Sequence, residues 1–203
     1  IYGAVGILAQ SNLRVGLAYA SICHVGLALL GLAAFTASGV QGAVSLLLSF
    51  SVATGGAFVF LEFLRQRTGS TDINSLGGAA MTMPLLAGGF LICGLAGVGM
   101  PGTSSFPGEF MLILAALQSH TGAGMAALFG LSVAAAGFLS LYRKAFFGPA
   151  IRRQVLEAED LRPREWAVLV ILITLIGGIG LYPGPWLEIV RPAAEAWAAG
   201  VAR

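Results

Sequence analysis

The fold class predicted is all-α: a polytopic transmembrane helix bundle with one discontinuous helix. Three observations predict it. Charge is scarce, since 57% of the 203 residues are hydrophobic and 10% charged, with a mean hydropathy of +0.88; soluble domains carry about 25% charged residues. Charge is also missing from long stretches: none lies in 15–61, only Glu109 interrupts 73–142, and none lies in 166–187. Finally, two prolines and three glycines break an apolar region at residues 99–108. A bilayer core of about 30 Å takes about 20 apolar helical residues per crossing, so several crossings fit. These properties exclude a secreted disulfide scaffold, a nucleic-acid binder and a soluble enzyme with a cleft. The net charge of +2 says nothing about partners.

The elements follow in order. Ile1 to Ala9 would form about 13 Å of helix, too short to cross, and is read as the end of a longer helix. With no start methionine, basic leader or cleavage site, no signal peptide is expected. Val15 to Ala37 predicts a first full crossing, closed by a tight turn at Ser38-Gly39. Val40 to Leu64 predicts a second, ending at Arg65 and Arg67, and a polar loop runs to Gly78. A third apolar segment spans Met81 to Val98. After the interruption, helix resumes at about Pro107 and ends at Ser119. Gly122 to Phe147 and Trp166 to Tyr182 complete the crossings, with an alternating-charge loop, Arg152 to Glu165, between them. Trp166, Tyr182 and Trp186 read as an interfacial aromatic belt. The tail beyond Pro185 is weakly amphipathic and is expected at the outer interface.

Charge decides how to read the interruption. As a hairpin of two crossings, it would separate Arg14, Arg65 and Arg67 from Arg143, Lys144, Arg152, Arg153, Arg162 and Arg164. As one broken helix, it puts all nine on one side, leaving Arg191 and Arg203 across. The positive-inside rule selects the broken helix and makes the shared side cytoplasmic. Loops 65–78 and 143–165 then face the cytoplasm, and the C-terminus lies on the other side of the membrane. Gly99, Pro101, Gly102, Pro107 and Gly108 form the hinge. Unwound backbone at membrane depth needs protein or water to satisfy it, and transporters place ion sites at such breaks.

Few residues here can carry chemistry. Glu109 follows the break in the first helical turn, where the helix N-terminus favours the anion and burial favours the acid. A group so balanced suits a proton relay; a capping glutamate at the membrane surface is the other reading. His24, mid-helix, shares a face with Ala20, Ser21, Ala28 and Gly31, and is either a second relay group or a packed histidine bonded to a carbonyl. Gln41, Ser45, Ser49, Val52 and Gly56 recur at helical spacing, a polar and small face that lines water or packs against a neighbour. His120 returns to the Glu109 face about 16 Å along and marks an outer mouth or a plain surface. Glu62 and Arg65 read as an interfacial ion pair. Cys23 and Cys93 read as small hydrophobes, and no metal or other cofactor is expected.

The stretch Gly99-Met-Pro-Gly-Thr-Ser-Ser-Phe-Pro-Gly-Glu-Phe110 resembles the broken helix of the antiporter-like subunits of respiratory complex I. The pattern G-x-P-G-T-x-x-F-x-G-E-F of the NADH-quinone oxidoreductase chain M group fits most closely, and Mrp-type antiporter subunits are relatives. Leu17-Ala-Tyr-Ala-Ser-Ile-Cys-His-Val-Gly26, Gln41-Gly-Ala43, Arg67 with Asp72, and Leu141-Tyr-Arg-Lys-Ala-Phe-Phe-Gly148 resemble further family stretches in the right order. The resemblance implies that 1–149 belongs to the second of two inverted helix repeats, from the end of helix nine through helix thirteen, and that 150–203 holds a cytoplasmic loop, the last crossing and the tail. It implies a proton-translocating function in an assembly with other membrane subunits, driven by redox chemistry in partner subunits, with Glu109 as the key acid of the second half-channel and His24 as a relay histidine. No redox centre is implied in this chain. One departure stands out: Phe50 occupies a position where the family commonly has histidine, so a central connection must use water, serines such as Ser45 and Ser49, or Thr54. The same resemblance leaves room for a subunit of a multi-subunit Na⁺/H⁺ antiporter or membrane-bound hydrogenase, and for a structural membrane module that does not pump.

Overall fold

A computed structural model describes residues 1–149 and 152–201. After α1 (Tyr2–Leu8), the Asn12 side chain accepts from Arg14 N at 2.9 Å and starts α2 (Leu13–Ala33). Thr36 does the same for α3 (Ala37–Thr68), its Oγ1 accepting from Gly39 N at 3.1 Å. Gly69, at φ 74, closes α3 in the left-handed conformation that glycine takes without strain. The turn expected at Ser38-Gly39 therefore lies earlier, at Ala34 to Thr36, with Phe35 at φ 52. Gly39 sits inside α3 for a packing reason, because a Cβ there would collide with the Gly31 carbonyl of α2.

The polar loop contains two single turns, α4 (Ile73–Leu76) and α5 (Ala79–Thr82). Then come α6 (Pro84–Gly97), α7 (Phe106–Ser119), α8 (Thr121–Phe146), α9 (Arg153–Leu156), α10 (Pro163–Leu181) and α11 (Gly184–Val201). Among the described residues, α2, α3, α8 and α10 are long and apolar enough to cross a membrane. α6 and α7 have 14 residues each, about 21 Å of helix, too short for a crossing alone.

Contacts along α3 show how the two short helices are arranged. Gly89 of α6 packs on Phe60, Cys93 on Gly56 and Gly97 beside Phe50; then Gly108 of α7 packs on Leu46 and Leu112 on Gly42. The pairing descends α3 in one direction through both short helices, so they are successive halves of one antiparallel crossing. α8 reads the same order in reverse: Gly124 meets Leu117, Phe138 meets Gly94, and Tyr142 Oη donates to Ala87 O at 3.2 Å. A hairpin would have reversed the order at the break. The broken-helix reading therefore holds.

The basic residues of the first crossings and of the loops gather at one end. Glu62 accepts from Arg65 at 2.6 and 2.9 Å and from Arg14 at 3.1 Å. Arg67 pairs with Glu165 and donates to the carbonyls of Glu159 and Asp160. Asp160 in turn caps α6, its two carboxylate oxygens accepting from Leu85 N at 2.8 Å and Leu86 N at 3.0 Å. Pro84 has no amide hydrogen to offer, so this aspartate from a distant loop satisfies the first free donors of the broken crossing. Asp160→Ala is expected to lower stability by about 1–2 kcal/mol, read as a shift in thermal unfolding of the detergent-solubilised protein.

α11 occupies the opposite end. Gln41 Nε2 donates to Leu187 O at 2.7 Å, and the Trp197 ring stacks on Phe35 with centroids 6.0 Å apart. The expected weakly amphipathic tail is thus a helix packed on α3, with Pro192 inside it and carrying Arg191; Arg203 lies outside the described residues. Trp166 and Tyr182 are exposed, as a lipid belt requires. Trp186 departs from that role, since its indole Nε1 is buried.

Candidate functional site

Glu109 stands in the first turn of α7 because the break ends there. Pro107 fills a position where no amide donor is needed, and Glu109 N donates to Ser105 O at 3.0 Å. Facing it are His24 from the middle of α2 and Phe50 from α3. The pair is enclosed by protein: His24 is fully buried and Glu109 is 4% exposed. Two glycines make the fit possible. Gly99, at φ 69, abuts the Glu109 carboxyl so closely that a Cβ would overlap it, and a Cβ on Gly108 would come within 2.7 Å of Leu46 N.

Hydrogen bonding fixes the chemistry of the pair. His24 Nδ1 lies 2.8 Å from Ala20 O, and Nε2 lies 3.2 Å from Glu109 Oε1. A carbonyl oxygen only accepts, so Nδ1 carries a hydrogen and donates it to Ala20 O. Nε2 and Oε1 then need one proton between them. With that proton on the carboxyl the pair is neutral; with it on Nε2 the pair is imidazolium and carboxylate. These arrangements differ by one proton crossing one hydrogen bond, the elementary step of a relay. Phe50 stacks on the imidazole, with centroids 4.0 Å apart and 16° between planes. The ring face, both ring nitrogens and the carboxyl are all held.

Beyond His24, a cavity of about 30 Å³ extends toward the charged end between α1, α2, α3, α6 and α8. Leu13, Leu17, Phe50 and Phe138 form its apolar walls, and the Thr54 side chain lines it together with His24. A cavity needs about 10–15 Å³ to hold a water, so there is room for one or two.

The structure places the other expected residues as follows. Ser49 is buried and donates to Ser45 O at 2.7 Å, and Ser45 is buried with a hydroxyl that has no protein partner. Gly99, Pro101 and Gly102 lie in the non-helical break, with Gly102 at φ 89, while Pro107 and Gly108 lie in the first turn of α7. His120 stands exposed in the turn between α7 and α8, at the far end of α7 from Glu109. Sequence reasoning passed over Ser104 and Ser105, both buried at the end of the break. Their place immediately before a helix that carries the lone acid was the available signal.

Comparison with known proteins bears on this geometry. Residues 1–134 match the family described as NADH:quinone oxidoreductase/Mrp antiporter, TM. NADH-quinone oxidoreductase subunit M of Rickettsia felis is 34% identical over 96% of the chain, which covers 40% of that protein; the Mycobacterium tuberculosis subunit M is 33% identical, with 35% of it covered. A chain of respiratory complex I from Thermus thermophilus with bound NADH superposes with a TM-score of 0.92 and 34% identity, over 98% of this chain and 42% of that one. A chain of the Mrp complex from Dietzia sp. shares the fold at a TM-score of 0.86 and 20% identity, over 97% of this chain and 45% of that one. The chain spans about 40% of the length of the curated relatives it matches.

Proposed function

The chain belongs to the NADH:quinone oxidoreductase/Mrp antiporter membrane family, and from that premise we propose that it is part of a proton-translocating membrane subunit of a complex I-type NADH:quinone oxidoreductase. Redox chemistry takes place in partner subunits, and this chain contributes a proton path. The charged end faces the cytoplasm of a bacterial inner membrane, by the positive-inside rule, and α11 lies on the periplasmic side. Protons reach His24 past Thr54 and pass to Glu109.

The observation that carries this reading is the buried bond between His24 Nε2 and Glu109 Oε1 at the break. An ionisable pair inside a membrane is costly unless it works or is satisfied, and this one is satisfied only by sharing a proton. Glu109→Gln keeps the shape and a hydrogen-bonding amide but removes the titrating group. In inverted vesicles carrying the assembled complex, NADH-driven proton pumping is expected to fall by about tenfold or more. Unchanged pumping by a fully assembled complex would refute the role.

A further inference from the structure

The C-terminal end of α8 carries two exposed cations, Arg143 and Lys144, that the relay does not use. Arg14, Arg65, Arg67, Arg153 and Arg191 each pair with a carboxylate, but among the described residues these two do not. The negative end of the α8 dipole favours cations here, which accounts for their sign. It does not account for the cleft of about 210 Å³ beside Lys144, which Asn74, Ser75, Gly77, Gly148 and Pro149 also line. Gly77 lies so close to Pro149 O that a Cβ would come within 2.3 Å of it, so the two sides of the cleft are held together. The acid of that loop, Asp72, is engaged locally, its Oδ1 accepting from Asn74 N at 2.8 Å. The Ser75 hydroxyl is also taken, donating to Asp72 O at 2.8 Å. An occupant therefore meets the Lys144 ammonium and the Asn74 carboxamide, with the Arg143 guanidinium alongside, a donor set suited to a phosphate.

An apolar track leads to the same point. Met125, Phe129, Ser132, Ala136 and Leu139 are all exposed and recur three and four residues apart, so they form one ridge of α8 that ends at Arg143. Ser132 breaks nothing, because its Oγ donates to Leu128 O at 2.9 Å. From Ser132 to Arg143 is about 16 Å of helix, the depth of one leaflet of a bilayer core about 30 Å thick. Cations at the head of an apolar ridge one leaflet deep complement a molecule with an anionic head and a long apolar tail. We propose that the cleft and ridge bind one acidic phospholipid from the leaflet at the charged end, its phosphate held by Arg143 and Lys144 and an acyl chain lying along the ridge. Basic pockets beside helix ends recognise such headgroups. The bound lipid ties the loop that carries α4 to the end of α8. This depends on α8 crossing the membrane and not on proton transfer at Glu109.

Photolabelling of the assembled complex in phosphatidylcholine vesicles tests the site. The probe is phosphatidylglycerol with a diazirine in its acyl chain, and label is mapped by mass spectrometry. Residues 132–147 are expected to label more strongly than 47–59, the exposed face of α3 whose nearby Arg14 and Arg65 are held by Glu62. Unlabelled phosphatidylglycerol should remove the excess, and added phosphatidylcholine should not. Equal labelling of the two segments, or equal competition by both lipids, overturns the proposal. Replacing both cations, Arg143→Gln with Lys144→Gln, should weaken retention about twentyfold. Arg14→Gln with Arg65→Gln removes the same charge from the same end and should leave the excess in place. Loss of the excess in both double variants would reduce the effect to a general field and overturn a site.

A second reading of the surface covers variants that fail to assemble. With p-benzoylphenylalanine in place of Phe147, which is exposed beside the cations, irradiation is expected to join this position to phosphatidylglycerol. Crosslinking to a peptide of another subunit instead would make this face a protein contact and overturn the lipid. Proton pumping decides neither outcome, so the lipid site and the relay stand or fall separately.

Discussion

Replacing Gly99 by alanine is expected to abolish proton pumping while leaving every ionisable side chain in place. Two independent effects act at that position. The backbone holds φ at 69, and an L-residue in the left-handed region costs about 1–2 kcal/mol. Sterically, the added methyl would occupy the space of the Glu109 carboxyl. The break is irregular and can absorb some of the strain, but the carboxyl has no second seat near His24, because α7 lies directly on the α3 backbone at Gly108. The 3.2 Å contact to Nε2 is therefore what gives way. Infrared difference spectroscopy of the protonated carboxyl band, together with pumping in vesicles, reads the result. A Gly99→Ala complex that pumps normally with an unshifted band would show that the carboxyl does not need this seat.

Removing the imidazole has the second-largest effect, and it separates structure from transport. In His24→Leu, Glu109 keeps its burial and loses its hydrogen-bond partner, leaving a buried polar group unsatisfied at a cost of about 1–3 kcal/mol. Ala20 O loses its acceptance from Nδ1, and Phe50 loses the ring it stacks on. Stability should fall by that amount in thermal unfolding, and pumping should fall with it. His24→Gln restores a hydrogen-bond donor to the carboxyl without a titrating group. It should recover much of the stability and none of the pumping. Recovery of pumping by glutamine would sink the idea that His24 passes protons.

Most of the fold was legible because membrane constraints are strong and local. Charge-free runs marked the crossings, and nine basic residues chose the broken helix before any contact was known. What failed locally were features set by packing. Gly39 looked like a turn glycine and is a contact glycine, since the nearness of Gly31 is invisible in sequence. The single turns α4 and α5 are too short for any periodicity to announce them. Asp160 reads as one of several loop acids, yet it caps a helix that begins more than seventy residues earlier.

At the site, Glu109 and His24 were each conspicuous as ionisable residues in apolar runs, but nothing in their spacing of 85 positions announced their bond. Phe50 was legible only as a departure from a family pattern. In the structure its ring stacks on the imidazole of His24. Ser104 and Ser105 escaped notice because serine in a broken segment is unremarkable until its burial is known.

The carbonyl of Ala20 has a consequence for accounting in the proposed relay. By engaging the Nδ1 hydrogen, it leaves the His24–Glu109 pair with room for one mobile proton at rest, shared between two addresses. Traffic through such a pair is single-file and quantised: a second proton enters only by giving both groups their full complement at once. Under the proposed relay the pair passes one charge per visit, and the main-chain oxygen one helical turn before His24 keeps the Nδ1 hydrogen out of the exchange.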